Sequence, residues 1–422
     1  MRKQIINTVI TRAGSTLLNF LLALMIARHS GPEVKGQTTL IITTIFFIVF
    51  ICNILGGHVL VYLLPRNKIE ALLLPALVWS LLVSISAYAF LSLTSIIPAE
   101  WVVAVSALAW LSAIISTQQT VLLAQQNIRL SNMLSLVPLV FLVSGVGACY
   151  LFFNVHNVHA YIYASIFSYT ITAGLGFALL ARHINISSIH FSLADIRSNF
   201  SYGFVFQLVE ILQLLNLRLY FYQLGLQQGP RYLGIYSIGI SILEAVWIIP
   251  RSIATVHYVS TSNTVEVKHE AERTLSLVKF SLIACALALL VLYLVPNSVY
   301  VFVFGHGFTD VKHSVRFLFP GIWIYSVLLV ISSFYYGVAR YKALLVANAA
   351  GLITLIIFSA LLIPHYVMSG AGLAATISYS VAALSLLFFF IADNKLSVTR
   401  FFPNKNDIKF FNTFIKTSFI KK

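Results

Sequence analysis

Apolar runs of about twenty residues recur along the whole chain, and no other feature restricts its fold as strongly. A bilayer core about 30 Å thick is crossed by an α-helix of about 20 apolar residues. No run alternates polar and apolar residues with a period of two, which argues against a β-barrel. Twelve runs can be counted, near residues 8–28, 39–64, 71–97, 101–125, 133–153, 158–181, 202–225, 232–252, 275–296, 317–338, 342–363 and 370–392.

The composition agrees with this interpretation. Only 9% of the residues are charged and 59% are hydrophobic, whereas a soluble domain has about 25% charged residues. The first run follows Arg2 and Lys3 and could be taken for a signal peptide, but eleven further runs indicate a retained span. The sequence therefore predicts an all-α polytopic membrane protein with twelve transmembrane helices, broken at residues such as Gly31-Pro32, Gly229-Pro230 and Pro364.

The distribution of basic residues predicts the topology. With the N-terminus inside, 21 of the 27 Lys and Arg residues fall in inner segments and 5 in outer loops, while Arg218 lies within a span. Inner loops of membrane proteins carry this excess of positive charge. We therefore expect both termini to be cytoplasmic. The net charge of +15 follows mostly from this asymmetry, and the absence of a basic patch with interleaved aromatics argues against nucleic acid as a partner.

Two halves of the chain show weak similarity. Gly31–Gly36 after the first run resembles Gly229–Gly234 after the seventh, at an offset of 198 residues; Gly-Pro turns are common, so chance is the alternative. Two further pairs keep the order at offsets of 211 and 210, namely Arg129 with Arg340 and Ser168-Tyr169 with Ser378-Tyr379. We expect two six-helix lobes related by a parallel pseudo-two-fold axis along the membrane normal.

The predicted organisation is an N-terminal lobe over 1–181, a cytoplasmic linker over 182–200, a C-terminal lobe over 201–393 and a basic cytoplasmic tail over 394–422. The outer loops are predicted to be short, except for about 20 residues around Pro296–Arg316. No nucleophile elbow, P-loop, HExxH or paired-cysteine zinc motif is present. The chain is therefore not expected to be an enzyme, and no cofactor or metal is expected. His58 and His257, at span edges, are expected to contact backbone or lipid head groups.

Three charges stand out within the apolar surroundings of the seventh and eighth runs: Glu210, Arg218 and Glu244. Each charge at the centre of a spanning helix costs about 2.5–3.5 kcal/mol on insertion scales. Glu210 and Arg218 are separated by about 80° around a helix and about 12 Å along it, too far for a direct pair. Glu244 is expected at a depth similar to that of Glu210, with Arg218 further out. Gln213 and Asn216 widen this polar surface.

These charges allow two interpretations. In the functional one, Arg218 binds an anionic head group in a polar cavity, because a guanidinium binds phosphate bidentately. Glu210 or Glu244 would then be protonated and couple ion movement to transport. In the structural one, an Arg218–Glu244 bridge locks the second lobe. Arg12, Asn19 and Arg28 are candidates to line the same cavity from the first lobe, although Arg12 could equally extend to the inner membrane surface.

Four segments resemble those of a known family: Ala27–Glu33 followed by Gly36, Asn216–Tyr220 followed by Gly225, Leu233–Ser237 and Leu243–Pro250. The family is that of the Wzx-type polysaccharide flippases, which belongs to the multidrug/oligosaccharidyl-lipid/polysaccharide (MOP) superfamily. The resemblance implies a V-shaped pair of lobes with alternating access. It also implies translocation of an undecaprenyl-diphosphate-linked oligosaccharide, an O-antigen or capsule repeat unit, from the cytoplasmic to the periplasmic leaflet of the bacterial inner membrane.

The same resemblance implies ion-gradient coupling, a place in lipopolysaccharide or polysaccharide biosynthesis, and a polysaccharide polymerase and chain-length regulator as partners. Many relatives carry an Asp two residues after the Arg of helix seven, where this chain has Tyr220. That departure leaves Glu210 and Glu244 as the acidic candidates for ion coupling.

Two other functions compete with this one. A MATE-like drug/cation antiporter of the same superfamily would attract cations through acidic residues in its first lobe. The cores of the first six runs contain no Asp or Glu, which favours an anionic substrate. A scaffold or lipid scramblase would not need Arg218 flanked by acidic residues.

Overall fold

The computed structural model describes residues 2–57, 60–61, 64, 69–94, 96–181, 193–262 and 267–396. The predictions for His58, for most of the cytoplasmic linker and for the tail beyond residue 396 lie outside these residues. Within them the chain is helical and contains no β-strand. The helices are α1 Arg2–Gly56, α2 Ile69–Thr94, α3 Ala99–Ala124, α4 Ile128–Leu151, α5 Val158–Leu180, α6 Leu193–Gln228, α7 Pro230–Glu244, α8 Ile248–Ser262, α9 Val267–Leu294, α10 Asn297–Phe304, α11 Val311–Val315, α12 Phe319–Gly337 and α13 Tyr341–Asp393.

Ten helices of the described residues are long and apolar enough to cross a membrane, so the chain is a multi-pass membrane protein. Two of them, Ile10–Gly56 and Tyr341–Asp393, have 47 and 53 residues. As straight helices they would be roughly 70 and 80 Å long, more than twice the thickness of the apolar core. Each is broken instead, α1 at Gly31 (φ 81°) and α13 at Val367 (φ 50°).

The two breaks differ in how well the sequence indicated them. Gly31 adopts the left-handed conformation that glycine tolerates, and Pro32 begins the second segment of α1, where its missing N–H has no cost. The break in α13 lies at Val367, three residues after the expected position at Pro364. Pro364 is accommodated inside the helix, and the left-handed residue is β-branched, which composition rules do not anticipate.

The segment predicted as a long outer loop is helical. Residues 297–318 form α10, α11 and short 3₁₀ turns, with Gly305 (φ 98°) making the turn after α10. The segment is helical because it is largely apolar and buries Phe304, Phe308 and Val311. Its position on the outer side of the membrane stays a prediction. An apolar segment that packs against neighbours must pair its backbone groups internally, and helical turns do so.

Two compact units are defined by contacts within the chain. The first comprises Met1–Leu214, Leu224–Ser237 and Val301–Phe308. In it α1 packs on α2, α3 and α4, and α3 packs on α2, α4 and α5 around a core that includes Ile41 and Leu108.

The second unit comprises Leu215–Gln223, Ile238–Tyr300 and Thr309–Lys422. Its central helix is α12, which packs on α8, α9 and α13. The predicted lobes, 1–181 and 201–393, are continuous stretches of sequence, whereas the two units are defined by contacts and combine separate stretches. The lobe boundaries therefore stay a prediction.

The two Gly-Pro segments of the sequence repeat contact each other within the first unit. A β-carbon on Gly36 would overlap the carbonyl oxygen of Pro230, and one on Gly234 would overlap the carbonyl oxygen of Pro32. One turn further along, the hydroxyls of Thr39 and Ser237 are 3.2 Å apart. Thr39 and Ser237 are 198 positions apart, which is the offset of the sequence repeat. The same offset relates Pro32 to Pro230 and Gly36 to Gly234, so the two glycine contacts are equivalent to each other. We call this contact the glycine seam, and only glycine permits so close an approach of the two backbones.

A second repeated feature lies in the turns before α4 and α13. Gln126 and Ala339 have positive φ angles of 61° and 55°. Three backbone bonds close each turn with the same pattern at an offset of 213 residues: Gln125, Gln126 and Asn127 donate to Val121, Leu123 and Leu122, while Val338, Ala339 and Arg340 donate to Phe334, Tyr336 and Tyr335. The same three-bond pattern also ends α13, where Asn394, Lys395 and Leu396 donate to Phe390, Ala392 and Ile391, so it is a general way of ending these helices. The match of Arg129 with Arg340 stays a prediction.

Ser168 and Ser378, which the sequence repeat matches, each donate a hydrogen bond to a carbonyl oxygen of another helical segment. Ser168 donates to the carbonyl oxygen of Pro138 at 2.6 Å, which joins α5 to α4. Ser378 donates to the carbonyl oxygen of Gly351 at 2.9 Å, which joins the two segments of α13. The same residue type thus makes the same helix-to-helix bond in each half of the sequence.

Candidate functional site

Arg218 and Glu244 form a bidentate ion pair in the second unit. The two guanidinium nitrogens donate to the two carboxylate oxygens at 2.7 and 2.6 Å. The side chains are 20% and 15% exposed. One guanidinium nitrogen also donates to the carbonyl oxygen of Leu217 at 3.1 Å. This fork-to-fork geometry is the strongest arrangement available to a guanidinium and a carboxylate.

The pair corrects the expected depth of Glu244, which was placed level with Glu210. Glu244 is the last residue of α7 and lies directly opposite Arg218 of α6. Desolvation explains the result, because a charge left alone in apolar surroundings is far more costly than one that is paired. Glu210 and Gln213, on the preceding turns of α6, are half-buried.

Aromatic residues surround the ion pair. The guanidinium carbon of Arg218 lies 5.1 Å from the ring centre of Phe221. Tyr220 and Tyr379 are fully buried. Tyr379 lies within electrostatic reach of both charges, and Tyr220 within reach of Arg218. Tyr379 in turn belongs to an aromatic cluster with Tyr325 and Trp247, whose ring centres are 4.7–6.2 Å apart. The pair therefore has rigid, largely apolar walls, in which an anion that entered would be weakly solvated.

Asn216, predicted to widen the polar surface, is completely buried. Its amide nitrogen donates to the carbonyl oxygen of Asn348 at 2.8 Å. Its amide oxygen lies 3.1 Å from the hydroxyl of Ser378, whose single proton it shares with the carbonyl oxygen of Gly351. These bonds tie α6 to both segments of α13. Asn216 therefore fixes the position of Arg218, two residues along the same helix.

The first-unit candidates all lie on α1 with exposed side chains: Arg12, Asn19 and Arg28. The amide nitrogen of Asn19 donates to the carbonyl oxygen of Ser15 at 2.9 Å, within its own helix. Their predicted role as substrate-binding residues stays a prediction.

A groove of about 550 Å³ lies in the first unit, between α1, α2, α3 and the junction of α6 with α7. It is lined mainly by apolar side chains, among them Leu91, Ile97 and Val102, with Gln37 and Tyr88 as polar members. None of the predicted site residues lines it, so its position does not coincide with the ion pair.

Lys35 and His257 were not anticipated as buried groups. Lys35, counted as an outer-loop charge, is 6% exposed and donates to Thr39 at 3.3 Å beside the glycine seam. Lys35 is buried because α1 resumes at Pro32, which places residue 35 inside the helix packing. His257 was expected to contact backbone or lipid, but it is 2% exposed and lies between α8 and α9. In the described residues no cluster of His, Cys, Asp or Glu could hold a metal ion.

Comparisons with known proteins identify structures of similar fold. No protein-family model matches the chain, and no curated protein sequence matches it. Among solved structures, an inward-facing multidrug resistance MATE family transporter of the MOP superfamily has a TM-score of 0.75 at 13% identity, covering 90% of this chain and 94% of its own.

The lipid II flippase MurJ in an inward closed conformation has a TM-score of 0.73 at 15% identity, covering 99% of this chain and 94% of its own. A MOP superfamily transporter from Pyrococcus furiosus has a TM-score of 0.68 at 13% identity, with 92% and 94% covered. The chain therefore has the fold of MOP superfamily transporters. All three similar proteins are named as transporters or flippases.

Proposed function

We propose that this protein is a flippase that moves an undecaprenyl-diphosphate-linked oligosaccharide from the cytoplasmic to the periplasmic leaflet of the bacterial inner membrane. The substrate would be an O-antigen or capsule repeat unit, as in the Wzx-type family that the sequence resembles. The observation that carries the proposal is the Arg218–Glu244 pair, a guanidinium held in apolar surroundings by a single carboxylate.

A diphosphate presents the same geometry to Arg218 as the carboxylate does. Its oxygens can accept both guanidinium N–H groups in the positions now taken by Glu244. We therefore expect the substrate to compete with Glu244 for Arg218. In this proposal the pair is the arrangement in the absence of substrate, and Glu244 holds the guanidinium in the orientation that binds an anion.

Exchange of partners would also link transport to protons. When the diphosphate takes Arg218, Glu244 loses its counter-charge in a site with Tyr220, Tyr379 and Trp247 nearby. A carboxylate without a partner in such surroundings binds a proton. Release of the substrate would return Arg218 to Glu244 and expel that proton. Glu210, the other acidic candidate, is half-buried on the same helix.

The proposal includes the finer topology. Breaks at Gly31 and Val367 divide two of the ten long helices, which supports twelve transmembrane helices. The sequence matches of Gly31–Gly36 with Gly229–Gly234 and of Ser168-Tyr169 with Ser378-Tyr379 support two six-helix repeats. Cytoplasmic termini rest on the distribution of Lys and Arg. A polysaccharide polymerase and a chain-length regulator remain the proposed protein partners.

The second candidate is a MATE-like drug/cation antiporter, because a MATE family transporter has a TM-score as high as the flippase does. A cationic substrate would have to bind an acidic residue. A cation would have to displace Arg218 from Glu244, and an anion would have to displace Glu244 from Arg218, so the pair alone does not decide between them. The absence of Asp and Glu from the cores of the first six apolar runs favours the anion.

The two functions are separated by expressing the protein in a strain that lacks its own O-antigen flippase. We expect restored surface polysaccharide with the wild-type chain and loss of it with Arg218→Met at equal abundance. Increased resistance to cationic drugs without restored polysaccharide would favour the antiporter and contradict the flippase.

A further inference from the structure

A buried group of polar side chains joins α8 to α9 in the second unit, away from Arg218 on α6. His257 of α8 is 2% exposed and Glu270 of α9 is 4% exposed. Glu270, Arg273 and Thr274 are three and four residues apart on α9, so they share the helix face that meets α8. Ser260 of α8 completes the group. Nothing in the transport proposal above uses these residues.

The hydrogen bonds of Thr274 fix the tautomer of His257. The Thr274 hydroxyl lies 2.7 Å from the carbonyl oxygen of Glu270, which can only accept, so the hydroxyl proton is donated there. The same hydroxyl oxygen lies 2.7 Å from Nε2 of His257. Since its one proton is already used, the hydroxyl accepts this bond, and Nε2 carries a hydrogen.

The other ring nitrogen then faces a carboxylate oxygen. Nδ1 of His257 and Oε2 of Glu270 are 3.5 Å apart, and both atoms are buried without another hydrogen-bond partner. In a neutral ring with hydrogen on Nε2, Nδ1 is an acceptor, and an ionised carboxylate offers only acceptors. Two lone pairs would face each other in a dry site. One added proton, on either atom, converts this repulsion into a hydrogen bond.

The second carboxylate oxygen has its own donors. Oε1 of Glu270 accepts from Ser260 at 3.2 Å and from Arg273 at 3.4 Å. Arg273 also donates to Ser260 at 3.1 Å, which orients that hydroxyl toward Glu270. The carboxyl group is therefore held in one orientation, with Oε2 directed at the imidazole.

The surrounding helices supply few other charges. Both α8 and α9 pack on α12, and Phe319–Gly337 contains no Asp, Glu, Lys, Arg or His. In the described part of the chain, Arg273 is the one cation besides His257 that pairs with Glu270. The titratable groups on the three helices are, apart from the pair itself, Arg251 and Tyr258 of α8, Lys268, His269, Glu272, Arg273, Lys279, Cys285 and Tyr293 of α9, and Tyr325, Tyr335 and Tyr336 of α12.

We propose that His257 and Glu270 together bind one proton, and that this shared proton holds the end of α8 to the beginning of α9. The site differs from the ion-coupling residues expected from the sequence, Glu210 and Glu244. A role for this proton in transport rests on the proposed function, but its binding does not.

The test compares bound protons in the purified full-length protein. Infrared bands of carboxyl groups and ¹⁵N resonances of imidazoles are recorded between about pH 5 and pH 8, where histidine ordinarily titrates. The chain has eleven histidines, so His257→Asn identifies the resonance of interest, and His269→Asn, at an exposed position, is the matched control. In the wild type we expect one proton on the pair.

Two substitutions remove the need for that proton by different routes. In Glu270→Gln the amide N–H can itself donate to Nδ1, so the ring stays neutral with hydrogen on Nε2. In Thr274→Val the ring is free to place its hydrogen on Nδ1 and donate to Glu270. We expect both variants to bind one proton fewer than the wild type and the control.

The proposal is overturned if the wild type shows a neutral ring with an ionised Glu270 across this range. It is equally overturned if either variant, folded by its melting curve, retains the extra proton. Because the readout is the bound proton and not transport, failure here leaves the flippase proposal standing, and loss of the flippase function leaves this result unchanged.

Discussion

The Arg218–Glu244 pair can be removed in two ways that separate its structural role from its role in transport. Glu244→Gln keeps the size of the side chain but leaves Arg218 charged and without an anion. Two charge-assisted bonds at 2.7 and 2.6 Å are weakened. Bonds to charged groups are worth about 1.5–3 kcal/mol each, and breaking one partner of a buried pair costs about 3–5 kcal/mol.

The Gln amide oxygen can still accept one bond, and the two side chains are 20% and 15% exposed. We therefore expect Glu244→Gln to lower the free energy of unfolding by about 2–4 kcal/mol, below the full value for a broken pair. The double variant Arg218→Met with Glu244→Leu removes both charges. Replacement of a buried pair by apolar residues is often neutral or stabilising, so this variant should regain most of the lost stability.

Unfolding is measured by titration with SDS in mixed micelles, and transport by surface polysaccharide in a strain lacking its own flippase. We expect the double variant to be folded and inactive, because its stability no longer needs Arg218 while its substrate does. Exchange of the charges, Arg218→Glu with Glu244→Arg, is the matched control that keeps a pair. Wild-type transport by the double variant would refute the anion-binding role and leave only a structural bridge.

Three further predictions follow from the helix contacts. Gly36→Ala and Gly234→Ala should each reduce thermal stability in detergent, because the new methyl group overlaps a carbonyl oxygen. Gly174→Ala is the control and should not reduce it, because Gly174 has open space around it. Equal melting temperatures for all three variants would contradict the glycine seam. Thr39→Cys combined with Ser237→Cys should form a disulfide under mild oxidation, since the hydroxyl oxygens are 3.2 Å apart, and its absence on non-reducing gels after oxidation would mean that the seam is open under those conditions. Asn216→Ala should lower the free energy of unfolding by about 1–3 kcal/mol, because it leaves a buried carbonyl and a buried hydroxyl with fewer partners, and SDS titration that shows no change would contradict the assigned anchoring role.

Much of the helical architecture could be predicted from the sequence, because the number of consecutive apolar residues in a spanning helix is set by the thickness of the bilayer. Gly31 was also identifiable, since a Gly-Pro pair marks a break that glycine can adopt. The helical segment 297–318 was missed because its runs are too short to register as spans. The break at Val367 was missed because it depends on packing and not on a residue that favours a positive φ.

Only part of the candidate site could be predicted from the sequence. Arg218 stood out as a basic residue in an apolar run, and a bridge to Glu244 was one of two interpretations. What could not be predicted was the register between α6 and α7, which decides whether those side chains meet. Lys35 and His257 show the same difficulty, because each lies where one helix packs on another and its burial is set by the neighbour.

The central claim is that Arg218 binds the diphosphate of the substrate. Its most direct measurement is binding of undecaprenyl-diphosphate-linked oligosaccharide to the purified protein in nanodiscs, with the wild type and the folded double variant Arg218→Met with Glu244→Leu compared side by side. The account predicts binding that is competed by undecaprenyl diphosphate and is weakened at least tenfold in the variant, about 1.4 kcal/mol or more. Equal affinity of the two proteins would contradict it.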